Sequence, residues 1–470
     1  MSTIETVLGL DIGTTTSKAM IRRRDAEQTV VAELPTPWDT IPGGGAEIHP
    51  STLETTIVEL IGRAVQAGET RWGRIAVAAI SVAGLAESGI VLDPAGRADL
   101  PAIAWFDTRG QAELVELAAA HPDFAAAFPG TTGLPWSAQA AFAKVVWLQR
   151  RGALPPGAAW LSVPEWIVHT LGGDRICEPS LASRTGLVQQ SSRRPWDAAL
   201  DLAGVSPTLL PVAVPAGTPV GTLNHPGVPA SAARALLSIA GHDHPVAALA
   251  SDAVRADEVF NSSGTADVLA RAVAAPLTDT QRAAIVVAGW SAGAHIVPGT
   301  DLLLAGGSGG LLLRRLLAAL GADSPDARDR LDLTSRQIKA LPPGLLVRGD
   351  GRTQDDVEIR LRDGANPAVI WAAATRYTAE LARDMLAAIS PIVGPHRRAV
   401  AAGGWTRMAS VRKAKCAAIG AMEFCNVEQP GATGAALLAE YSLTADGRSL
   451  TRFVHDIGRN NAVLDPEEPR

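Results

Sequence analysis

The chain has 470 residues, of which 47% are hydrophobic and 19% charged, and its formal net charge at pH 7 is −6. This length exceeds what one ordinary hydrophobic core accommodates, and the composition is globular rather than disordered, so we predict two domains of similar size. The acidic balance, with no basic run longer than Arg22–Arg24, excludes nucleic acid as an expected partner.

The N-terminal segment has the pattern of a β-hairpin. Thr6–Leu10 is apolar, Lys18–Arg22 alternates between apolar and polar residues, and the glycine- and threonine-rich Asp11–Ser17 joins them. Further along the chain, Ser51–Gln66 has apolar residues at helical spacing, and Arg74–Val82 is rich in Ile, Val and Ala. We therefore predict a helix followed by a buried strand.

A stretch rich in proline and glycine, Pro211–Val228, interrupts the chain near its middle. The second unit repeats the order of the first, because Val259–Ala270 again consists of two apolar strands around a Gly/Ser/Thr turn. This repetition of mixed strands and helices predicts an α/β fold with two related domains, residues 1–238 and 239–470, and a cleft between them.

The turn of the first hairpin has features of a phosphate-binding loop. At Gly13, backbone N–H groups can approach the phosphates of ATP without a side chain in the way. Asp11 could hold Mg²⁺ through water, and Lys18 would add a positive charge. Further hydrogen bonds to phosphate oxygens could come from the hydroxyl groups of Thr14, Thr15 and Thr16. The alternative is an ordinary hairpin turn whose threonines cap backbone groups, and the sequence pattern of a P-loop is missing.

A second motif, Ala240–Pro245, places an aspartate between two histidines where a strand passes into a helix. Asp243 could accept the proton of an attacking hydroxyl group, as a general base does. It also occupies a position expected for a helix N-cap, since Pro245 suits the first turn, and both interpretations remain open. His242 and His244 lack a third ligand at a suitable spacing, so we do not expect a zinc site.

Two glycine pairs each end an apolar strand and precede a helical pattern. The pairs are Gly306 with Gly307, and Gly403 with Gly404. A strand, a glycine pair and a helix start together favour contact with the base, ribose or phosphates of a nucleotide. A simple tight turn explains each pair equally well.

Taken in order along residues 6–440, these motifs resemble those of the FGGY carbohydrate kinases. The segments that carry the resemblance are Asp11–Lys18, Ala46–Pro50, Ile80–Gly89, Pro101–Arg109, Thr132–Pro135, Lys144, Trp147–Leu148, Ser183–Thr185, Trp196–Asp197, Gly241–Asp243, Gly264–Thr265, Gly403–Gly404 and Gly431–Ala436. The resemblance implies two actin-like, ribonuclease H-like ATPase domains with the active site in the cleft between them. It also implies transfer of a phosphoryl group from ATP to a hydroxyl of a small sugar or polyol.

The resemblance assigns roles to individual residues. Asp243 corresponds to the family's catalytic base, and Asp11 and Asp243 would flank Mg²⁺ and the transferred phosphoryl group. The residues that would hold the phosphates are Gly13, Thr14, Thr15, Thr16, Lys18, Gly264 and Thr265. Those that would border adenosine are Gly306, Gly307, Gly403, Gly404 and Met408. At the last of these positions the family often has a polar residue, so methionine is a departure.

Further departures bear on the substrate. The first substrate loop has Ala86 and Glu87 where glycerol kinases have Arg-Glu and ketopentose kinases usually have a histidine, and Gln139 replaces a tyrosine of glycerol kinases. Loss of the arginine argues against glycerol, whereas Glu87, His242 and His244 could bind several hydroxyl groups. The expected order of substrates is a ketopentose or related sugar, then a four- or five-carbon polyol, then a sugar acid.

The Trp-x-Asp-x-Arg segment completes the expected substrate site with Trp105, Asp107 and Arg109. Each site residue here has a structural alternative. Trp105 could pack in a core, Asp107 and Arg109 could form an ion pair, and Glu87 could be a surface carboxylate at a strand end.

Two other functions remain compatible with the predicted fold. One is an ATP-driven chaperone or filament, and the other is a sugar-binding regulator without catalysis. The substrate loops argue against the first, and Asp11 with Asp243 against the second.

Three cysteines without a Cys-x-x-Cys spacing, no signal-like N-terminus and no apolar run of membrane-spanning length predict a cytoplasmic protein that does not enter membranes. The family often forms dimers, so a homodimer would fit the resemblance.

Overall fold

The structure of the chain is a computed structural model that describes residues 3–26, 28–264, 266–307, 309–349, 357–444, 449–457 and 463–464. Up to residue 250 the elements are β1 (Ile4–Ile12), β2 (Thr16–Arg23), β3 (Thr29–Pro35), β4 (Asp39–Ile41), β5 (Gly45–Ile48), α1 (Pro50–Trp72), β6 (Ile75–Gly84), β7 (Gly89–Leu92), β8 (Ala102–Ile103), α2 (Gln111–Ala120), α3 (Pro122–Thr132), α4 (Ala141–Arg150), β9 (Ala159–Ser162), α5 (Val163–Thr170), α6 (Pro179–Ala182), β10 (Val188–Gln189), β11 (Arg194–Pro195), α7 (Asp197–Ala203), β12 (Leu236–His242) and α8 (Asp243–Ala250).

The remaining elements follow the same mixed order. They are β13 (Glu258–Ser263), β14 (Asp267–Ala274), α9 (Asp279–Val287), β15 (Ser291–Ala294), β16 (Thr300–Gly307), α10 (Gly309–Ala319), α11 (Pro325–Ser335), β17 (Leu346–Gly349), β18 (Val357–Arg360), α12 (Pro367–Val393), β19 (Arg398–Ala402), α13 (Ala409–Ile419), β20 (Glu423–Cys425), α14 (Pro430–Ser442), α15 (Leu450–Ile457) and β21 (Val463–Leu464). Within the described ranges, no helix is both long enough and apolar enough to span a bilayer.

The first main sheet has five strands in the order β12-β6-β1-β2-β3. β12, β6 and β1 are parallel neighbours, whereas β1, β2 and β3 are antiparallel. The predicted hairpin is confirmed, with Asp11 paired to Lys18 beside the turn. The predicted helix and strand are present as α1 and β6, and α1 buries Leu53, Ile57 and Leu60 in the core below the sheet.

The second main sheet has seven strands in the order β15-β16-β14-β13-β19-β20-β21. β13 and β14 form the second predicted hairpin, and β19 lies parallel to β13. Leu386 and Ile389 of α12 pack with Val259, Leu269 and Leu303 of the sheet. Both halves of the chain therefore contain a hairpin with a parallel strand beside it, and the α/β prediction is confirmed.

The two halves meet at β12 and at the helix that follows it. The predicted division between residues 238 and 239 falls inside β12, a strand that pairs with β6 from Leu236 to His242. The Pro/Gly-rich stretch also belongs to this region, because the N–H groups of Gly217 and Val220 donate to carbonyl oxygens of the same strand. The first sheet therefore extends to His242, and the residue boundary between the two domains stays a prediction.

Helix α14, near the end of the chain, returns to the first sheet. It lies against β1, β6 and β12 and crosses α8. The approach is close enough that an atom in the Cβ position of Gly9 would lie 2.2 Å from the carbonyl oxygen of Ala432. At Gly434 the same atom would lie 2.0 Å from the carbonyl oxygen of Val246. Two glycines thus allow α14 to pack between the sheet and α8.

Candidate active site

The sheet topology brings three predicted site segments to one edge. β1, β6 and β12 run parallel, with Ile12 and His242 both in register with Gly84. Residues that follow parallel strands meet at the carboxyl edge of the sheet. Asp11 lies at the end of β1, Glu87 lies three residues after β6, and Asp243 directly follows β12, so these carboxylates share this edge.

The loop between β1 and β2 is held from behind by other parts of the first half. Thr36 donates its hydroxyl to the carbonyl oxygen of Gly13 at 2.7 Å, and the indole of Trp38 donates to that of Thr14 at 2.7 Å. Gly13 in turn donates its N–H to the carbonyl oxygen of Thr16. In the described part of the chain, the N–H groups of Thr14 and Thr15 have no hydrogen-bond acceptor. The loop therefore has a fixed shape and two amides available for a ligand.

Asp11 has an unusual environment for a carboxylate. Its Oδ1 atom is buried and has no hydrogen-bond partner among the described residues, and Gly431 of α14 lies against the carboxylate. Burial and, to a smaller extent, the charge of Asp243 raise the pKa of Asp11 to about 7, while Lys18 opposes the rise. A divalent cation would remove this electrostatic cost, so Asp11 and Asp243 fit the Mg²⁺ site that the family resemblance implies.

The His242–Asp243–His244 segment begins α8. Asp243 accepts the N–H of His244 at Oδ1 (2.7 Å), while its Oδ2 accepts no hydrogen bond among the described residues. The N-cap interpretation of Asp243 is therefore wrong, because the N-cap of α8 is His242 and Asp243 is the first residue of the helix. The hydrogen bond from the next residue leaves the second carboxylate oxygen free. The imidazole nitrogen Nε2 of His242 lies 3.2 Å from Oδ1, and burial lowers the pKa of His242 to about 3, against the charge of Asp243. The buried histidine is thus neutral beside the carboxylate.

One feature of this segment differs from the expectation that the histidines lack a third ligand. One ligand atom from each of His242, Asp243 and His244 lies within 4.8 Å of the other two. The third donor is the aspartate between the histidines, a spacing that sequence reasoning did not consider.

Arg184, to which the sequence analysis assigned no role, forms an ion pair with the substrate loop. Its guanidinium donates to Oε1 of Glu87 at 2.8 Å through Nε and Nη2, and its Nη1 donates to the hydroxyl of Ser291 at 2.7 Å. Glu87 and Arg184 are each only 14% exposed. Glu87 is therefore not a surface carboxylate, and Ala86 beside it is fully buried. Ser291 begins β15, so Arg184 also connects the first half of the chain to the second sheet.

The Trp-x-Asp-x-Arg segment lies next to the first loop. The indole of Trp105 donates to the hydroxyl of Thr14 at 3.0 Å. Asp107 and Arg109 form a two-bond ion pair, and Arg109 also pairs with Glu47 at 2.8 Å. Burial alone would raise the pKa of Asp107, but the hydrogen bonds and charge of Arg109 outweigh it and hold that pKa below its usual value. Asp107 and Arg109 therefore form the ion pair that was the structural alternative to a binding role. Their contact with substrate stays a prediction.

The predicted nucleotide-binding residues lie where β13, β16 and β19 of the second sheet end. Gly264 lies in the turn after β13, and the end of β16 lies beside the start of β14, where Gly307 pairs with Asp267 and Gly306 with Val268. An atom in the Cβ position of Gly403 would lie 2.4 Å from the carbonyl oxygen of Ser263, which places the pair Gly403 and Gly404 beside the same turn. Thr265 lies outside the described residues.

The remaining predicted site residues are Met408 and Gln139. Met408 is 6% exposed and packs in the apolar cluster of Leu312, Trp371 and Val411, which explains a methionine at this position. Gln139 is exposed on the loop before α4. Their roles as adenosine and substrate ligands stay predictions.

A buried hydrogen-bond network, which the sequence analysis did not predict, lies behind the turn between β13 and β14. Lys415 of α13 is 2% exposed and donates to Oδ1 of Asn261 at 2.6 Å and to Oδ2 of Asp267 at 3.0 Å. The amide of Asn261 also donates to Asp267 at 2.6 Å. The sequence offers no signal for this contact, because Lys415 and Asn261 are 154 positions apart.

Comparison with known proteins agrees with this arrangement. A family model described as the N-terminal domain of the FGGY family of carbohydrate kinases matches residues 6–250, more than half of the chain. The gluconokinase of Bacillus subtilis (strain 168) is 26% identical over 216 residues, which are 44% of this chain and 40% of that protein. A glycerol kinase of Aromatoleum aromaticum is 30% identical over 304 residues, 60% of this chain and 58% of that protein. The chain thus matches about half the length of these relatives.

The similarity in structure extends further than the similarity in sequence. The xylulose kinase of Rhodospirillum rubrum, at 22% identity, superposes with a TM-score of 0.82 over 99% of this chain and 94% of that one. This likeness establishes the two-domain actin-like fold that the motifs implied. Because the family model covers more than half of its residues, the chain belongs to the FGGY family of carbohydrate kinases.

Proposed function

We propose that the protein transfers the γ-phosphoryl group of ATP to a hydroxyl group of a small neutral sugar or polyol. The observation that carries the proposal is the shared edge of β1, β6 and β12, where Asp11, Glu87 and Asp243 lie together. The phosphates would be bound by the free amides of Thr14 and Thr15 from one side and by the turn at Gly264 from the other. A cytoplasmic location belongs to the same proposal, since the three cysteines are unpaired.

Asp243 is the proposed general base. Its free Oδ2 would accept the proton of the substrate hydroxyl while that oxygen forms a bond to the γ-phosphorus and the bond to ADP breaks. Mg²⁺ held near Asp11 and Asp243 would supply charge neutralisation at the phosphates. Neutral His242 places no positive charge beside the base, and Trp105 would form a wall of the pocket next to Thr14.

The pairing of Glu87 with Arg184 favours a neutral substrate. Arg184 compensates the charge of Glu87, so the pocket has no excess of positive charge to attract a carboxylate. Oε2 of Glu87 accepts no hydrogen bond among the described residues and would be available to a hydroxyl group. A ketopentose or related sugar therefore ranks first, a four- or five-carbon polyol second and a sugar acid third.

Replacing Asp243 by asparagine tests the reaction. We expect Asp243→Asn to lower kcat by about a thousandfold, within the range for loss of a general base, while ATP still binds. The measurement is ADP release with Mg·ATP over a panel of ketoses, polyols and sugar acids. Asp326→Asn, on the exposed surface of α11, should behave like the parent. Equal turnover by the parent and Asp243→Asn would show that another group accepts the proton.

Replacing Arg184 by glutamine tests the substrate pocket. The change leaves the carboxylate of Glu87 buried and unpaired, so kcat/KM for the sugar should fall by about a hundredfold, mainly through KM. Arg150→Gln removes an exposed pair with Glu116 and should leave both constants unchanged. Turnover of sugar acids alone by the parent protein would contradict the preference for a neutral substrate.

A further inference from the structure

A second cavity lies behind the segment that carries Asp243. Its volume is about 710 Å³, and its walls come from both halves of the chain. Apolar side chains dominate the lining, among them Leu210, Val212, Pro276, Ile296 and Pro298. This size and this apolar character are typical of sites for small molecules.

Two buried polar groups in the lining have unused hydrogen-bonding capacity. Glu178 is 1% exposed, and its Oε2 accepts the N–H groups of Ser180 and Leu181, while Oε1 accepts none among the described residues. His295 is 5% exposed, and its Nδ1 accepts the N–H of Val297 at 3.0 Å. The neutral ring then has its proton on Nε2, which has no acceptor in the described part of the chain. An oxygen atom of a ligand would satisfy this donor.

The charges that line the cavity favour an anion. Arg193 is paired with Asp301, whereas Arg194 is exposed and has no ion pair among the described residues. Burial raises the pKa of Glu178 to about 7, so near neutral pH part of this carboxyl group retains its proton and can donate it to a ligand oxygen. The lining thus combines the positive charge of Arg194, an N–H donor and a carboxyl group that is partly protonated near neutral pH.

The same glutamate supports the segment before the proposed base. The hydroxyl of Ser180 donates to Oε2 of Glu178 and accepts the backbone N–H of His242 at 3.0 Å. Gly241 lies against this pair, since an atom in its Cβ position would be 2.8 Å from the Ser180 hydroxyl and 2.7 Å from Ile296. A change in the hydrogen bonds of Glu178 would therefore move the backbone next to Asp243.

We propose that this cavity is a regulatory site for a small apolar molecule with one carboxylate group, and that Glu178 and Ser180 transmit its binding to Asp243. The carboxylate lies between His295 and Glu178, and the apolar body fills the space toward Leu210 and Ile296. Because the bound carboxylate holds the proton on Oε1 of Glu178, Oε2 becomes a weaker acceptor for Ser180. The support of the His242 backbone weakens and phosphoryl transfer slows. Glu178 and Ser180 act as positioning residues, since neither touches the substrate.

The binding step is tested with a fluorescent apolar anion, 8-anilinonaphthalene-1-sulfonate, and with octanoate as competitor. We expect saturable fluorescence from one probe per chain and its displacement by octanoate. Ala213→Trp, which fills the cavity from an exposed wall position, and Arg194→Ala should each weaken octanoate binding about tenfold or more. Val287→Trp, at a residue 89% exposed and outside the cavity, should bind like the parent. Absence of displacement, or parent-like binding by Ala213→Trp, overturns the proposal.

The regulatory step rests on the proposed kinase function and has its own measurement. Octanoate should lower kcat several-fold without changing KM for the sugar, and Ser180→Ala should abolish this sensitivity. If octanoate binds but kcat stays unchanged, the proposed transmission through Ser180 is wrong. If no sugar is phosphorylated at all, the proposed function fails, while the fluorescence titration still decides whether the cavity binds the anion.

Discussion

At the scale of single residues, the carboxyl groups are in very different environments. Glu165 caps α5 by accepting the N–H of Ser162 and also accepts the N–H of Glu178, each at 2.7 Å. Burial raises the pKa of Glu165 to about 7, although these two hydrogen bonds oppose the rise. The group thus gives up its proton at a higher pH in the folded than in the unfolded protein.

This difference predicts a pH-dependent stability. A raised pKa in the folded state contributes stability that is fully present below pH 4.5 and is lost as the pH rises through about 7, by up to ~3 kcal/mol. Glu165→Gln cannot titrate, so its deficit in melting temperature relative to the parent should be larger at pH 5 than at pH 8. Glu69→Gln, on the exposed side of α1, should show no such trend. A deficit that is constant from pH 5 to pH 8 would contradict the shift.

The site residues that the sequence predicted are those with a chemical signature in a short segment. Asp11 follows a strand before a glycine, and Asp243 lies between two histidines, so residue type and local pattern were sufficient. The sequence placed Arg184 within a motif but did not indicate its role, because its partner Glu87 is 97 positions away. Contacts of this range depend on the packing of whole elements, which a single sequence does not specify.

At the scale of elements, both hairpins and several helices were predictable. Turn residues flanked by apolar runs located β1, β2, β13 and β14, and helical spacing located α1. β12 and β6 were each recognisable as apolar segments, but their pairing was not, because an apolar strand fits the interior of any sheet. For this reason the predicted division of the chain fell within β12.

The packing of α14 gives a prediction at this scale. Gly434→Ala should lower the melting temperature by several degrees, because the new methyl group collides with the backbone at Val246 and forces α14 away from α8. Gly62→Ala is the matched control in α1, where an added methyl group meets nothing within 4 Å. It should stabilise the protein by about 0.5–1 kcal/mol through helix propensity. Equal effects of the two changes would show that α14 is not tightly packed.

At the scale of the whole molecule, the two halves also touch away from the contact of α14 with the first sheet. Gly133 accepts the N–H of Ala292 at 2.8 Å, and the buried guanidinium of Arg282 donates to the carbonyl oxygen of Gly130 at 2.7 Å. This contact joins α3 of the first half to α9 of the second, and it does not involve the segment that carries Asp243. It limits how the halves can move when a cleft closes over substrates.

Removing this contact should loosen the molecule as a whole. Arg282→Met leaves the carbonyl of Gly130 without its partner, and we expect a loss of about 2 kcal/mol of stability. The radius of gyration from small-angle scattering should increase, while circular dichroism stays the same because each sheet is intact. Arg383→Met, at an exposed position on α12, serves as control. An unchanged radius and melting temperature would assign the coupling of the halves to other contacts, such as that of α14 with the first sheet.

The return of α14 to the first sheet also affects the order in which the chain can fold during synthesis. β1 leaves the ribosome before β12, which completes its sheet, and α14, which covers that sheet, follows later still. Until then Gly9 and the neighbouring apolar residues of β1 and β6 lack their covering helix. A nascent chain that stops before Pro430 therefore exposes an apolar face of this sheet to solvent, and completion of α14 covers that face.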